Sequence, residues 1–404
     1  MRILSVCSSS KVFGAEIVTL RLLEGFAQNG HKQIAVTTIF TDGEFSRRLS
    51  KLKIEDVDLP IGAFGKPTSL RAISWTMDAL IRLPYLWMRW SRMLHQFRPD
   101  VILFTGFKQA VWLFPWLNTR PSFLIEYTYL DPTRTRHFVY WLLARKLTGF
   151  IAVSDFMRRH CIEIGAPAAK THLIRSGVFS VLERPRIEKE CSDFAASTGG
   201  TLRLGIVGQI SPHKGHECLI DAIYILRGKK DALEVFVYGI GDREYTAKLK
   251  QKVMDLGVAD VFHWMGYEND RAAIYRNVDV CVVPSMLGDP FPTVAMEAGA
   301  YGRPVIASRT GGLPEIVAHG RTGWLVEPGN SEDLAKHIER FIRNGAAIEE
   351  MGKAARDLVF SEFTQEKMVA QFEHIFDAVR DQEVTTRLRP AESHHPNSTE
   401  SPRK

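Results

Sequence analysis

The sequence has no run of about eighteen uncharged apolar residues, so it offers no segment that could cross a bilayer as a single helix. Cysteine is scarce: Cys7, Cys161, Cys191, Cys218 and Cys281 are the five present, and none forms a C-x-x-C pair. A scattered, odd-numbered set excludes a disulfide framework and gives no basis for a structural zinc site. The opening MRILSVCSSS carries one arginine and too short an apolar stretch for a secretory signal. These absences predict a protein of a reducing compartment, the cytoplasm, either soluble or peripheral on the inner face of a membrane.

What is present is a chain of 404 residues with 45% hydrophobic content, enough for two or three cores rather than one. Charge is unevenly spread. Residues 1–180 hold 24 Lys+Arg against 13 Asp+Glu, a balance of +11, while residues 181–404 hold 28 against 33, a balance of −5. A basic first half suits a phosphorylated substrate, an anionic membrane or a nucleic acid. No stacking motif or recognition helix appears, so no nucleic-acid partner is expected.

Short apolar runs rich in Val, Ile and Phe alternate with helical periods. Ile3–Cys7, Gln33–Phe40, Ile54–Leu59, Val101–Phe104, Phe123–Tyr127 and Phe150–Ser154 read as strands. Between the first two, Ile17, Leu20, Leu23 and Phe26 recur at about one helical turn, and Gly30 follows as a terminator. From Ser180 to Gly200 the pattern lapses into a charged, turn-rich stretch that reads as a linker. It resumes with Leu202–Val207, Leu233–Tyr238, Val261–Met265, Val280–Pro284, Pro304–Ala307 and Gly323–Val326. The expected fold class is α/β, two Rossmann-like doubly wound parallel-sheet domains facing a cleft. The divisions are a first domain over 1–180, a linker over 181–200, a second domain over 201–362, a helix over 363–381 and a disordered tail over 382–404. His394 and His395 in that tail are expected to be solvated.

Three stretches carry candidate chemistry. Between Pro284 and Gly329 an apolar strand empties into a proline/glycine loop holding Asp289, then a short helix carrying Glu297, a second strand and a glycine turn. A helix start offers free N–H groups and the positive end of a dipole to a phosphate, and neighbouring carboxylates suit hydroxyls. GQISPHKG, from Gly208 to Gly215, brings Gln209 and the Lys214 ammonium to a strand end, as an anionic diphosphate requires; an ordinary turn with a solvated lysine has the same form. Phe13-Gly14-Ala15-Glu16 follows the first strand, where Gly14 would admit close approach of a phosphate or sugar, or simply make a turn. A weaker glycine turn holds Gly239 and Gly241.

These residues resemble the retaining GT-B glycosyltransferases of family four, the group 1 type, from the N-terminus to about Asp381. Asp289 to Glu297 is similar to the E-x7-E region, Gly302-Arg303-Pro304-Val305 to the GxPV segment, and Gly311 to Glu315 to GGxxE. Weaker matches are Gly14-Ala15-Glu16, Val153-Ser154, Ile174–Phe179 and Lys214-Gly215. The resemblance implies that Glu297 binds ribose hydroxyls and that the N–H groups of Thr293 and Val294, flanked by Phe291 and Pro292, hold the distal phosphate. Lys214 would neutralise the departing diphosphate, and Asp289 would touch the transferred sugar. Gln209, Gly14 and Gly241 would line the donor site. The implied donor is a UDP- or GDP-sugar, the acceptor a glycan or lipid-linked glycan of cell-surface polysaccharide or lipopolysaccharide assembly, with no cofactor and no metal. The run Asp56-Val57-Asp58 imitates a metal-binding DxD motif but reads as a solvated turn.

Departures accompany the matches. Gln209 stands for the usual arginine, Asp289 for glutamate and Pro292 for glycine, and the histidine often found beyond the fifth strand is absent from IEYTYLDP. A sugar-nucleotide epimerase or a non-catalytic sugar-nucleotide-binding protein on the same fold are the rival readings. Over Ile73–Phe97, Trp75, Tyr85, Trp87, Trp90 and Phe97 accompany Arg82, Arg89 and Arg92, the make-up of an interfacial helix on an anionic membrane or of aromatics packed under the first sheet.

Overall fold

The computed structural model describes residues 1–7, 12–62, 70–130, 133–192 and 200–388, with the backbone alone described at 70–72, 75, 76, 134, 135, 192 and 382–388. His394, His395 and the rest of 389–404 lie outside the described residues, as does the side chain of Trp75.

The first domain runs β1 (Arg2–Val6), α1 (Gly14–Gln28), β2 (Lys32–Thr38), α2 (Glu44–Lys51), β3 (Glu55–Leu59), α3 (Leu70–Ile81), α4 (Leu83–Phe97), β4 (Val101–Phe104), α5 (Phe107–Trp112), β5 (Ser122–Glu126), α6 (Arg134–Lys146), β6 (Gly149–Ala152), α7 (Asp155–Glu163) and β7 (Thr171–Leu173). After α8 (Arg184–Ser192), the second runs β8 (Leu202–Val207), α9 (His216–Ile225), β9 (Leu233–Tyr238), α10 (Arg243–Asp255), β10 (Phe262–Gly266), α11 (Arg271–Arg276), β11 (Val280–Val283), α12 (Thr293–Ala300), β12 (Val305–Ser308), α13 (Leu313–Ile316), β13 (Gly323–Val326), α14 (Ser331–Arg343) and α15 (Ala346–Glu362). The chain ends its described course in α16 (Gln365–Leu388).

Both sheets are parallel, in the orders β3-β2-β1-β4-β5-β6-β7 and β10-β9-β8-β11-β12-β13. Helices cover both faces, so the central strands read as unbroken apolar runs: all of β4 and β11 is buried. The strand order reverses between β1 and β4 and again between β8 and β11, and crevices form at such reversals, beyond the carboxyl ends of the strands.

The domains are joined twice. The segment leaving β7 reaches Phe179, which pairs with Thr364, and Gln365 N–H donates to the Phe179 carbonyl at 2.8 Å. A Cβ on Gly177 would lie 2.1 Å from the Thr364 carbonyl oxygen, so only glycine lets the two crossings run so close. The second crossing delivers α16 back onto α1. Phe26 meets Phe372 edge-on at 6.1 Å and Phe376 at 5.9 Å, while His31 Nε2 and Glu373 Oε1 lie 2.7 Å apart.

Several local expectations need correction. Part of the 181–200 linker is helical: α8 buries Ile187, half-buries Cys191 one turn on, and closes an Arg184–Glu188 pair at 2.8 Å. Its apolar stripe is two residues long, too short to show as a period. Helix α16 continues to Leu388, past residue 382, where the tail was expected to begin. Asp56-Val57-Asp58 lies within β3 rather than in a turn, and Asp58 accepts the Thr37 hydroxyl from β2. Of the two readings of Ile73–Phe97, core packing holds for the tryptophans of α4: Trp90 is fully buried and Trp87 donates its Nε1–H to the Trp112 carbonyl at 3.1 Å.

At the end of β5, Glu126 is buried, accepts the Tyr140 hydroxyl, and has its carboxyl pushed up to about 7 by burial. Because this folded value exceeds the ordinary 4.5, the contribution is complete below pH 4.5 and is lost as pH rises through 7. The wild type should therefore lose roughly 3 kcal/mol from this group across that window, whereas Glu126→Gln should show no such loss in urea unfolding as a function of pH. Parallel pH profiles for the two proteins would refute the assignment. His216, lowered by burial to about 4 from 6.5, acts in the opposite direction and is common to both proteins.

Candidate active site

β8 and β11 are adjacent, so the loops that leave them emerge side by side. After β8 a single 3-10 turn, Pro212–Lys214, ends at Gly215, whose φ is +74°. A Cβ there would lie 1.8 Å from the Pro284 carbonyl oxygen, so glycine is what allows the lysine loop to sit on the end of β11. Met286 N–H, in the second loop, donates to the His213 carbonyl at 2.8 Å. The result is a direct ion pair between Lys214 Nζ and Asp289 Oδ2. Burial and the Lys214 charge both hold the His213 imidazole below its usual pKa.

The Asp289 loop is also held from below. Gly312 N–H donates to the Asp289 carbonyl at 2.9 Å, and the turn between β12 and α13 comes so near that a Cβ on Gly311 would be 2.2 Å from the same oxygen. The loop then enters α12, with Pro292 as its N-cap at φ −66° and no side-chain cap. Proline therefore precedes the first helical residue rather than occupying it. The N–H groups of Thr293 and Val294 begin the helix, where no intrahelical acceptor exists for them.

The first domain closes over this constellation. A Cβ on Gly14 would lie 3.3 Å from Thr293 Oγ1. Ser154, the N-cap of α7, donates its hydroxyl to the Pro290 carbonyl at 2.7 Å while accepting from Met157 N–H. Glu315 on α13 accepts the Phe156 N–H at 3.0 Å and pairs with Arg175 at 3.0 Å. Between the domains is a cavity of ≈ 350 Å³ lined by Gly14, Gln209, Lys214, Asp289, Phe291, Pro292, Thr293 and Val294, and also by Tyr127, Val153, Ser176 and His213. A recess of ≈ 150 Å³ continues from it past Phe13 and Gln209 to Tyr238, Ile240 and Tyr267, lined almost wholly by apolar atoms, with Glu268 at its edge.

Eight of the ten residues singled out from the sequence thus line one cavity. Gly241 does not; it packs against Ile210, whose carbonyl oxygen a Cβ would approach to 2.0 Å. Glu297 does not line it either. It lies one turn further into α12, with 9% of its side chain exposed, and its Oε1 is 3.2 Å from Arg271 Nη2. A buried carboxylate needs a countercharge, and α11 supplies it. The same pairing holds Arg271 above the usual arginine range, and its guanidinium lies 5.4 Å over the Phe179 ring at the domain crossing. Tyr127, Ser176, Tyr238, Tyr267 and Arg271 were not singled out: Tyr238 and Arg271 sit at the end of β9 and the start of α11, and Tyr127, Ser176 and Tyr267 lie in the loops just beyond β5, β7 and β10, Ser176 within the Ile174–Phe179 match and His213 inside a loop already singled out. Among the described residues no group of three His, Cys, Asp or Glu gathers at a point suited to a metal ion, and no helix is long and apolar enough to cross a membrane.

Removing the Glu315 carboxylate tests how the cleft is held. Glu315→Ala should cost about 1–3 kcal/mol for one charge-assisted interdomain contact and should enlarge the radius of gyration in solution scattering. An unchanged scattering curve would show that the other contacts suffice.

Comparison with known proteins agrees with this architecture. Residues 13–177 match the "Glycosyl transferase 4-like domain" model and residues 193–358 match "Glycosyl transferases group 1". An amylovoran biosynthesis glycosyltransferase, AmsK of Erwinia amylovora, is 27% identical over 234 residues, covering 56% of this chain and 55% of the relative. A lipopolysaccharide 1,2-N-acetylglucosaminetransferase of Salmonella typhimurium is 30% identical over 174 residues, covering 41% and 45%. The chain thus spans about half the length of these curated relatives. The crystal structure of Anabaena HepE in complex with UDP and glucose superposes with a TM-score of 0.75 over 94% of this chain and 100% of that one, at 23% identity, and so shares the fold. With two parallel-sheet domains of the GT-B type and both halves matched, the chain belongs to the group 1 glycosyl transferases.

Proposed function

We propose that the protein moves a sugar from a nucleoside-diphosphate sugar to a hydroxyl of a glycan or lipid-linked glycan in polysaccharide or lipopolysaccharide assembly, with retention at the anomeric carbon. The observation that carries this is the placement of Lys214 and the N-terminus of α12 on one cavity between the domains. The base would enter the apolar recess beside Tyr238 and Tyr267, and the diphosphate would meet Lys214 and the N–H groups of Thr293 and Val294. Asp289 would leave Lys214 to accept hydroxyls of the donor sugar. Gln209 adds no charge, so the ammonium and the helix dipole bear most of the leaving group's charge. Glu297 remains the proposed ribose ligand, reached beside Arg271.

In the transfer, the acceptor oxygen forms a bond to the anomeric carbon on the face from which the diphosphate oxygen departs. The acceptor proton passes to that departing oxygen, so no side-chain base is required. No divalent cation is required either, since the charge that develops is met by Lys214 and the helix terminus. Transfer, rather than binding alone, is expected to release free nucleoside diphosphate when acceptor is added.

Lys214→Ala should lower turnover by roughly two or more powers of ten while leaving the fold intact, and wild-type turnover should persist in excess EDTA. Turnover of the variant within threefold of the parent would sink the role given to Lys214.

The same reading places the first domain on a membrane. Ile73, Met77, Leu80, Ile81, Tyr85 and Met88 are exposed along α3 and α4, beside Arg89 and Arg92, which form no ion pair among the described residues. Apolar side chains flanked by unneutralised arginines fit an anionic bilayer surface. Flotation with phosphatidylglycerol vesicles at low salt should carry the protein upward, and Met77→Asp with Ile81→Asp should abolish it. Absence of wild-type flotation removes the membrane from the proposal.

A further inference from the structure

A cavity of ≈ 770 Å³ lies on the second domain and shares no lining residue with the cleft. Its walls are α8, the turn Gly302-Arg303 and α15. Arg303 donates its Nε–H to the Tyr275 carbonyl at 3.0 Å and Arg356 donates its own to the Ala300 carbonyl at 3.1 Å. Each guanidinium is therefore fixed in orientation at Nε, and both line the cavity. Two glycines compress this corner. A Cβ on Gly302 would be 2.3 Å from Arg356 Nη2, and one on Gly352 would be 2.0 Å from the Gly302 carbonyl oxygen.

The carboxylates around the cavity are mostly committed. Arg184 holds Glu188 at 2.8 Å and Asp357 at 2.6 Å, and Asp279 is held by Arg203 at 2.7 Å. Glu349, Lys353 and Arg356, all on α15, have no ion-pair partner among the described residues. Burial lowers the Arg303 pKa against the raising effect of the nearby Asp279.

We propose that this cavity binds a phosphate monoester of a small sugar or polyol, the phosphate on Arg303, Arg356 and Lys353 and the hydroxyls on Glu349 and Asp357. Planar guanidinium forks suit phosphate oxygens, and the volume exceeds what a bare phosphate fills. Arg184 of α8, in the segment that joins the domains, pairs with Asp357, so a ligand on Asp357 bears on that segment through one ion pair. Its effect on turnover rests on the glycosyltransferase reading; its binding does not.

The test is calorimetric titration of UDP-saturated protein with glycerol 3-phosphate and with inorganic phosphate, UDP being present to fill the cleft. Saturable binding is expected, tighter for glycerol 3-phosphate, weakened about tenfold or more in Arg356→Gln and in Lys353→Ala, and retained in Lys214→Ala. Both residues altered in the cavity are partly exposed, and circular dichroism checks that the variants fold. No saturable binding, equal affinity in the cavity variants, or loss in Lys214→Ala instead would overturn the site, and equal affinity for the two ligands would overturn the polyol portion. If UDP fails to bind the wild type, the reading of the cleft fails. Titration of Lys214→Ala without UDP then still decides the second site.

Discussion

The ion pair between Lys214 and Asp289 spans the two loops that leave the central strands of the second sheet, and it sets which charges face the cleft. Both side chains remain partly exposed, at 29% and 18%. A pair of that kind contributes little net stability, because water screens the attraction and two side chains lose freedom. What it does is hold an ammonium ready at the cavity wall with its charge already answered. In the proposed reaction a diphosphate would replace Asp289 as the partner of Lys214, and the displaced carboxylate would be left facing the hydroxyls of the donor sugar.

Keeping two opposite charges in register across separate loops demands a rigid floor, and backbone contacts supply it. Gly215 on the Pro284 carbonyl and the β12–α13 turn under the Asp289 carbonyl fix both loops without side chains. The first domain then adds the Ser154 and Glu315 contacts from above. Glu315 is the more informative, because a single carboxylate binds both the N-terminus of α7 and Arg175 in the segment that leads to the domain crossing. Closure of the cleft and the position of that segment are thereby linked through one side chain, and α16 carries the link around to the far face of α1.

Strand positions were legible because buried parallel strands are short apolar runs whose carboxyl ends fall at glycine-rich turns; Leu202–Val207, Leu233–Tyr238 and Gly323–Val326 begin and end where the pattern placed them. The cavity residues were legible for a related reason: Gly14, Lys214, Asp289 and Thr293 all stand at such turns, where sequence departs from core periodicity. Side-chain direction was not legible. Trp87 and Trp90 have the composition of an interfacial face, yet they turn into the core, leaving Ile, Met and Leu outside. Helix α8 was missed because Ile187 and Cys191 alone carry its buried face, and nothing local distinguishes two apolar residues in a charged stretch from a linker.

Glu297 shows the same limit at a functional position. Spacing from Asp289 put it on the right helix but could not say that Arg271, twenty-six positions earlier in the chain, would reach it from α11. A carboxylate so deeply placed needs a paired countercharge, and that guanidinium supplies it. The cation that serves this purpose also lies over Phe179, whose carbonyl accepts from Gln365 where the two domain crossings meet. Glu297, Arg271 and Phe179 thus form one contact chain from α12 to the place where the domains are joined.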